Sequence, residues 1–244
     1  MSRIVGSVAL VTGANRGIGR AVVEALIARG AAKVYAAARN IEALADLVAA
    51  GSGRVVALAL DITSDESVAL AKAIASDVTL LINNAGALAP GSQLSTSIEQ
   101  LKLNLDVNYY GTLRTASAFA PVIEANGGGS IANVLSAVSF ASVPGFGAYS
   151  ASKAAAHSLT QGLRAELGPK GVKISGIYPG PVDTDMAKAL EGVEKATPAS
   201  VAAEILDGIE AGDDYILPDP MAKQAYATFR EDPRSLEAFF ANFA

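Results

Sequence analysis

Three side chains in the middle of the chain have the types and the spacing for proton transfer to or from an oxygen atom. Tyr149 and Lys153 are four residues apart, so on a helix they lie on the same face. A loop rich in glycine and serine precedes them, and Ser136 stands at its start, directly after an apolar run. A phenol is a poor acid or base near neutral pH, but a nearby ammonium favours the phenolate. The pattern indicates acid–base chemistry, although a tyrosine and a lysine at this spacing also occur by chance on ordinary surface helices.

Alternating apolar runs and helical patterns predict the elements that position these side chains. Short apolar runs are typical of strands buried in a parallel sheet, and they cover residues 8–11, 33–38, 54–60, 78–82, 130–135, 172–178 and 215–217. Helical periodicity separates the runs, and residues 149–167 form the predicted helix that carries Tyr149 and Lys153. We predict one α/β domain over residues 1–244. It is a Rossmann-type, doubly wound parallel sheet of about seven strands with helices on both faces.

The composition excludes several classes of function. The 244 residues carry a net charge of −5, which disfavours nucleic acid or an anionic membrane surface as a partner. There is no cysteine and only one histidine, His157, so we expect no disulfide, no thiolate catalysis and no metal site. No apolar run is long enough to span a bilayer. Because a lack of cysteine also fits a reducing compartment, we expect a cytoplasmic protein.

The first predicted strand ends in a glycine-rich turn that is typical of nucleotide-binding sites. The turn reads Thr12-Gly-Ala-Asn-Arg-Gly-Ile-Gly19 and leads into a helical pattern. Backbone N–H groups at a helix N-terminus can approach a pyrophosphate closely. A tight strand–helix turn without a ligand is the alternative that this motif alone leaves open.

The end of the second predicted strand distinguishes between NADP and NAD. An acidic residue there would bind the 2′-hydroxyl of NAD, but the position is Ala38. Arg39 follows it, and Arg16 lies in the glycine-rich turn. Since guanidinium groups suit a 2′-phosphate, the sequence predicts NADP(H) rather than NAD(H). The alternative is that both arginines are solvated surface charges.

Taken together, these motifs resemble the short-chain dehydrogenase/reductase family over residues 4–217. Each motif is weak alone, but the set is specific in its order and spacing. The matching segments are the glycine-rich turn, Asp61, Asn83-Asn-Ala-Gly86, Asn108, Ser136, Tyr149-Ser-Ala-Ser-Lys153 and Pro179-Gly-Pro-Val-Asp-Thr184. The resemblance implies an NADP(H)-dependent oxidoreductase. It would transfer a hydride between the nicotinamide and a carbonyl compound or secondary alcohol, as a homodimer or homotetramer.

The resemblance also implies a role for each site residue. Tyr149 would be the acid in reduction and the base in oxidation, while Lys153 holds the nicotinamide ribose and favours the phenolate. Ser136 would hydrogen-bond the substrate oxygen; Ser139 competes for this role, but Ser136 stands at the family's distance from the tyrosine. Asn108 would hold a water that links Lys153 to solvent. The implied cofactor-binding residues are Gly13, Asn15, Arg16, Gly17, Ile18, Gly19, Arg39, Asp61, Ile62, Asn84, Ala85, Gly86, Pro179, Gly180, Val182 and Thr184, together with Tyr149 and Lys153.

The expected substrate pocket is apolar. Its candidate residues are Leu88, Ala137, Phe140, Val143, Phe146 and Met186. Such a lining favours a hydrophobic aldehyde, ketone or secondary alcohol. We expect residues 184–197 to form a short lid over an open, permissive pocket.

The C-terminal tail, residues 218–244, departs from the family pattern. A helix is predicted to begin at Asp232-Pro233, and Phe239, Phe240 and Phe243 stand near the end of the chain. Aromatic side chains require burial, so the tail should pack on its own body or on a neighbouring subunit.

Two other classes of function fit the sequence less well. A non-catalytic NADP(H)-sensing regulator on the same fold has no need of all four of Asn108, Ser136, Tyr149 and Lys153. An α/β-hydrolase requires a G-x-S-x-G elbow, which is absent, and a suitably placed histidine. His157 is expected to be packed or solvated rather than catalytic.

Overall fold

A computed structural model describes residues 3–188 and 190–242, and these residues form a seven-stranded parallel sheet. The sheet order is β3-β2-β1-β4-β5-β6-β7. The strands are β1 (Val8–Thr12), β2 (Lys33–Ala38), β3 (Val55–Ala59), β4 (Leu80–Asn83), β5 (Gly129–Val134), β6 (Val172–Ile177) and β7 (Tyr215–Ile216). This arrangement confirms the predicted doubly wound, Rossmann-type fold.

Helices cover both faces of the sheet. They are α1 (Gly17–Ala28), α2 (Ala45–Ala50), α3 (Asp65–Ile74), α4 (Ile98–Leu105), α5 (Thr112–Ala125), α6 (Gly147–Leu167), α7 (Pro198–Ala211), α8 (Pro220–Glu231) and α9 (Pro233–Ala241). The side chains of α1, α2 and α7, including Val22 and Ile205, form the core on one face. Those of α3, α5 and α6, including Phe119 and Leu163, form the core on the other. No helix of the described residues is both long enough and apolar enough to cross a membrane.

The strand order reverses between β1 and β4, which is where open α/β sheets bind ligands. The loops after these two strands are fixed side by side. The hydroxyl oxygen of Thr12, at the end of β1, accepts hydrogen bonds from the backbone N–H groups of Asn84 and Ala85, both at 3.0 Å. The Asn84 amide in turn donates to the carbonyl oxygens of Thr12 and Gly13, at 2.9 and 3.1 Å. The sheet thus holds the glycine-rich turn against the segment that follows β4.

A π-helical turn, Asp106–Gly111, joins α4 to α5 and contains the buried Asn108. Such turns are rare and occur frequently at functional sites. The helix passes close to the loop after β3, because a Cβ atom on Gly111 would lie 2.6 Å from the Cδ1 atom of Ile62. A glycine at position 111 is therefore required for this approach.

The C-terminal residues form two helices that pack on the body of the same chain. Asp219 and Asp232 cap α8 and α9, and a proline follows each of them in the first helical turn. Leu236 and Phe240 are buried in one cluster with Ala137, Val143 and Ala225. Of the three phenylalanines singled out in the sequence, Phe243 lies outside the described residues.

Candidate active site

A cleft with a volume of ≈ 740 Å³ opens at the carboxyl ends of the strands. It brings together most of the side chains that the sequence singles out. The predicted residues that line it are Gly13, Asn15, Arg16, Gly17, Ile18, Arg39, Asp61, Ile62, Asn84, Ala85, Gly86, Leu88, Ser136, Ala137, Val143, Phe146, Tyr149, Lys153, Pro179, Gly180, Val182, Thr184 and Met186.

Tyr149 and Lys153 lie on the first turns of α6, with the Lys153 Nζ atom 5.7 Å from the centre of the Tyr149 ring. The Lys153 ammonium donates a hydrogen bond of 2.8 Å to the carbonyl oxygen of Val134, at the end of β5. Only 4% of Lys153 is exposed, and this burial lowers the pKa of its side chain to about 8. Burial raises the pKa of Tyr149 to about 12. In the protein alone, the phenol therefore stays protonated at neutral pH.

Ser136 and Ser139 have different roles in the structure. A hydrogen bond with Ser136 lowers the pKa of Tyr149, in opposition to the larger effect of burial, so the two hydroxyl groups face each other. Ser136 also caps the 3-10 turn Ala137–Ser139 by accepting a hydrogen bond of 3.3 Å from the N–H of Val138. The Ser139 hydroxyl accepts the N–H of Ser136 at 3.3 Å. Ser139 thus closes the turn, while Ser136 faces the tyrosine.

Asn108 lies behind the cleft rather than in its lining. Its Oδ1 atom accepts a hydrogen bond of 3.0 Å from the N–H of Ala87, and its Nδ2 group donates to the Ala87 carbonyl oxygen at 2.8 Å. The second proton of the amide goes to the Ser152 hydroxyl, at 2.9 Å. Both amide protons are thus used to fix the loop after β4 against α6. The role of Asn108 in holding a water stays a prediction.

The glycine-rich turn has the shape of a pyrophosphate cradle. Gly13 and Gly17 have φ angles of 66° and 55°, and a Cβ on Gly13 would lie 2.9 Å from the Cα of Ala85. Only glycine adopts such angles readily at so close an approach. The turn leads into the N-terminus of α1, where backbone N–H groups bind anions. Gly19 does not line the cleft; it allows the turn to pack on Asn84, with whose Nδ2 atom a Cβ would overlap.

Charged residues gather at the end of the cleft next to β2. Arg39 follows Ala38 at the end of that strand, and its charge lowers the pKa of Asp61, in addition to the larger effect of hydrogen bonds from Thr63. Arg16 pairs with Asp185, in the segment predicted to form a lid, with 3.2 Å between its Nη1 atom and the Oδ2 atom of the carboxylate. The two arginines border the position at which an adenosine ribose would lie against β2.

Comparison with known proteins places this geometry in one family. Residues 7–195 match the family model described as short chain dehydrogenase. An uncharacterized oxidoreductase of Staphylococcus aureus strain USA300 is 35% identical over 215 residues, which cover 84% of this chain and 92% of that protein. The chain belongs to the short-chain dehydrogenase/reductase family. It is an oxidoreductase of this family, whose members use a nicotinamide cofactor.

Solved structures of two other short-chain dehydrogenases contain different cofactors. A short chain dehydrogenase from Burkholderia cenocepacia J2315, in complex with NADP, is 40% identical, with a TM-score of 0.91 and 98% of each chain covered. A short chain dehydrogenase/reductase from Burkholderia phymatum, in complex with NAD, is 27% identical, with a TM-score of 0.87 and coverage of 100% of this chain and 98% of that one. Relatives of the same fold have thus been solved in complex with either cofactor, and the choice in this chain depends on its own residues.

Phe140 is the member of the predicted substrate pocket that does not line the cleft. The turn Ala137–Ser139 directs Phe140 away from the cleft, and its ring stacks on those of Tyr178 and Phe229, with centroid distances of 4.7 and 5.1 Å. His157 belongs to the same aromatic cluster, and its Nδ1 atom lies 2.8 Å from the Tyr178 hydroxyl. Among the described residues, no three His, Asp or Glu side chains are close enough together to hold a metal ion.

Several cleft residues are absent from the sequence-based set. They include Pro90, Leu103, Val107, Val138, Leu190, Met221 and Phe240. Met221 and Phe240 belong to α8 and α9. The sequence does contain a signal for α8, namely Asp219-Pro220. It has the same pattern of a capping aspartate followed by proline as Asp232-Pro233, from which α9 was predicted.

Proposed function

We propose that the chain is an NADP(H)-dependent reductase of apolar aldehydes or ketones, in which Tyr149 donates the proton. One observation carries this proposal. Tyr149 is a phenol whose pKa is raised to about 12, it faces Ser136, and it lies next to the ammonium of Lys153 in one cleft. A hydroxyl that positions an oxygen, beside an acid that can protonate it, is the arrangement that carbonyl reduction requires.

Each catalytic side chain has a distinct task in this proposal. NADPH, when bound, supplies the hydride. The Ser136 hydroxyl holds the carbonyl oxygen, and Tyr149 donates its proton to that oxygen as negative charge develops on it. An alkoxide is a stronger base than a phenolate, so this transfer is favourable even from a phenol of raised pKa. Lys153, with its pKa lowered to about 8, is still largely charged at neutral pH and stabilises the phenolate that remains.

The end of β2 supports NADP(H) over NAD(H). Ala38 has no carboxylate that could accept a hydrogen bond from a 2′-hydroxyl or repel a 2′-phosphate. Arg39 and Arg16 line the adjacent part of the cleft, and guanidinium groups bind phosphate through paired, charge-assisted hydrogen bonds.

The remainder of the cleft supports an uncharged substrate. Among the described residues, its charged lining side chains are Arg16, Arg39, Asp61, Asp185 and Lys153. The first three are on the adenosine side, and Asp185 is paired with Arg16 and Lys188. The part of the lining around the tyrosine is formed by apolar side chains such as Leu88, Val143, Phe146 and Met186. Such a lining favours apolar compounds with one polar group at the reacting carbon.

The proposal is tested by NADPH oxidation across a panel of apolar aldehydes and ketones, with the wild type and Tyr149→Phe side by side. Loss of the proton donor should lower kcat by about 10²-fold or more while NADPH still binds. Tyr110→Phe is a matched control, because Tyr110 is a half-exposed tyrosine outside the cleft lining. Full activity of Tyr149→Phe would contradict the assignment. A wild type that binds NADPH but reduces no compound in the panel would favour the NADP(H)-sensing alternative.

A further inference from the structure

The two C-terminal helices reach the cleft close to the catalytic side chains. Met221 of α8 and Phe240 of α9 line it, together with Val138 and Val143 from the loop that follows Ser136. Both helices lie beyond residues 7–195, the part of the chain that matches the family model. Met221 and Phe240 are therefore cleft-lining residues that lie outside the matched part of the chain.

A buried carboxylate fixes α8 to the cleft. Asp219 is 4% exposed, and its Oδ2 atom accepts a hydrogen bond of 2.7 Å from the N–H of Gly180. Its Oδ1 atom accepts the N–H of Ala222, in the first turn of α8, at 2.8 Å. The residue before Gly180, Pro179, accepts a hydrogen bond of 3.0 Å from the N–H of Ala137 through its carbonyl oxygen. The start of α8 is thus attached to the backbone next to Ser136.

Phe240 is an almost completely buried side chain in the lining of the cleft. It is 1% exposed and packs in one cluster with Leu236, Ala225, Val143 and Ala137. Ala137 directly follows Ser136, the residue that would hold the substrate oxygen. Phe240 therefore lies on the side of the cleft into which the apolar part of a bound substrate would extend. The neighbouring Phe239 is 48% exposed and does not line the cleft.

We propose that α8 and α9 are the end wall of the substrate pocket, and that Phe240 is the specificity-determining residue that limits how far an apolar chain can extend beyond the reacting carbonyl group. This inference rests on the proposed carbonyl reductase function. The preferred substrates are then compact apolar ketones or aldehydes, and the wall belongs to the same subunit as the catalytic tyrosine.

The test is a homologous series of methyl n-alkyl ketones, assayed with NADPH for the wild type and Phe240→Ala. In the wild type, each added methylene should raise kcat/KM about fourfold until the chain reaches the wall, after which the gain stops. In Phe240→Ala, short ketones should react as before. For longer ketones, kcat/KM should continue to rise about fourfold for each methylene that the enlarged pocket accommodates. The affinity of unreactive n-alkyl amides for the NADPH-loaded proteins can be measured by calorimetry. The chain length at which this affinity stops rising should shift in the same way between the wild type and Phe240→Ala.

Two variants in α9 are matched controls. Leu236→Ala removes buried packing from the same helix without opening the cleft, and Phe239→Ala removes an exposed ring. Neither should change the limiting chain length. If Phe240→Ala does not fold, Phe240→Leu provides the same comparison with a smaller enlargement of the pocket.

An unchanged limiting length in the folded Phe240 variants, or an equal shift in Leu236→Ala, would overturn the proposal. The amide series separates this failure from failure of the proposed function. In one outcome, the wild type reduces no ketone while the amides still show a limiting length that depends on Phe240. That result would support the end wall and contradict the proposed carbonyl reduction.

Discussion

Replacing Lys153 with methionine should stabilise the protein in the absence of cofactor. Burial lowers the pKa of Lys153 from 10.5 to about 8. Each unit corresponds to 1.36 kcal/mol, so burying the charged form costs about 3 kcal/mol at neutral pH. Methionine has a similar unbranched shape and no charge. Its introduction leaves the carbonyl oxygen of Val134 without the ammonium donor, a loss of about 1 kcal/mol. The expected net gain in the free energy of unfolding at pH 7 is therefore about 2 kcal/mol.

The pH dependence of this difference has a defined sign. Below pH 8, both the folded and the unfolded chain carry the proton on Lys153, and the full penalty of burial is present. Between about pH 8 and 10.5, the unfolded chain binds more protons than the folded one, so the stability of the wild type rises relative to the variant. The advantage of Lys153→Met should fall close to zero by about pH 9.5.

Urea unfolding of the cofactor-free proteins at pH 7 and pH 9.5 measures this difference. Lys170→Met is a matched control for the loss of a lysine charge, because Lys170 is exposed. A variant that is less stable than the wild type at pH 7 would refute the reasoning. So would an advantage that does not change with pH. Catalytic activity should be lost in Lys153→Met at every pH, since the variant lacks the ammonium that stabilises the phenolate.

Two further substitutions test the ends of the cleft. Arg39→Ala should raise the Kd for NADPH roughly tenfold or more and leave the Kd for NADH unchanged, because only NADPH carries the 2′-phosphate. Arg20→Ala is the control, because Arg20 lies outside the cleft lining. Equal losses of affinity for both cofactors in Arg39→Ala would contradict the NADP(H) proposal. Asp219→Asn should reduce the free energy of unfolding by about 2 kcal/mol and raise KM for long ketones, since an amide cannot accept the N–H groups of Gly180 and Ala222 with both its polar atoms. Asp232→Asn alters an exposed helix cap and should have little effect; equal losses in the two variants would show that burial of Asp219 is unimportant.

The sequence predicts the sheet well because most of its strands are buried on both faces. Val34 and Ile82, for example, lie in apolar runs that admit no solvated face, and both are fully buried. The positions of Tyr149 and Lys153 follow from helical spacing, which fixes the direction of both side chains once the helix is established. Local rules of this kind are sufficient for the positions of the strands along the chain and for the helix that carries Tyr149 and Lys153.

Other parts of the site depend on contacts between distant residues. Phe140 is five positions before a loop glycine, Gly145, and no periodic pattern indicates that the short turn before it directs its ring away from the cleft. Phe240 lines the cleft instead, although no sequence pattern assigned it to the site. Asn108 is buried because of a π-helical turn that its local sequence does not indicate. The cytoplasmic location and the dimer or tetramer stay predictions.

The residues proposed to carry out the reaction and the residue proposed to limit substrate length come from different parts of the chain. Asp61, Tyr149 and Lys153 lie on the central segments of the chain, where the family motifs occur. Phe240 lines the same cleft from a helix outside those motifs and packs with Ala137 and Val143 of the loop after Ser136. The pKa of Tyr149 is raised by burial and lowered by the hydrogen bond with Ser136. Changes at Phe240 should therefore alter the length of the accepted substrate while Ser136 and Lys153 stay in place beside Tyr149. We expect substitutions in α9 to change kcat/KM among ketones while the pH dependence of kcat stays the same, a separation that pH profiles of Phe240→Ala and the wild type would reveal.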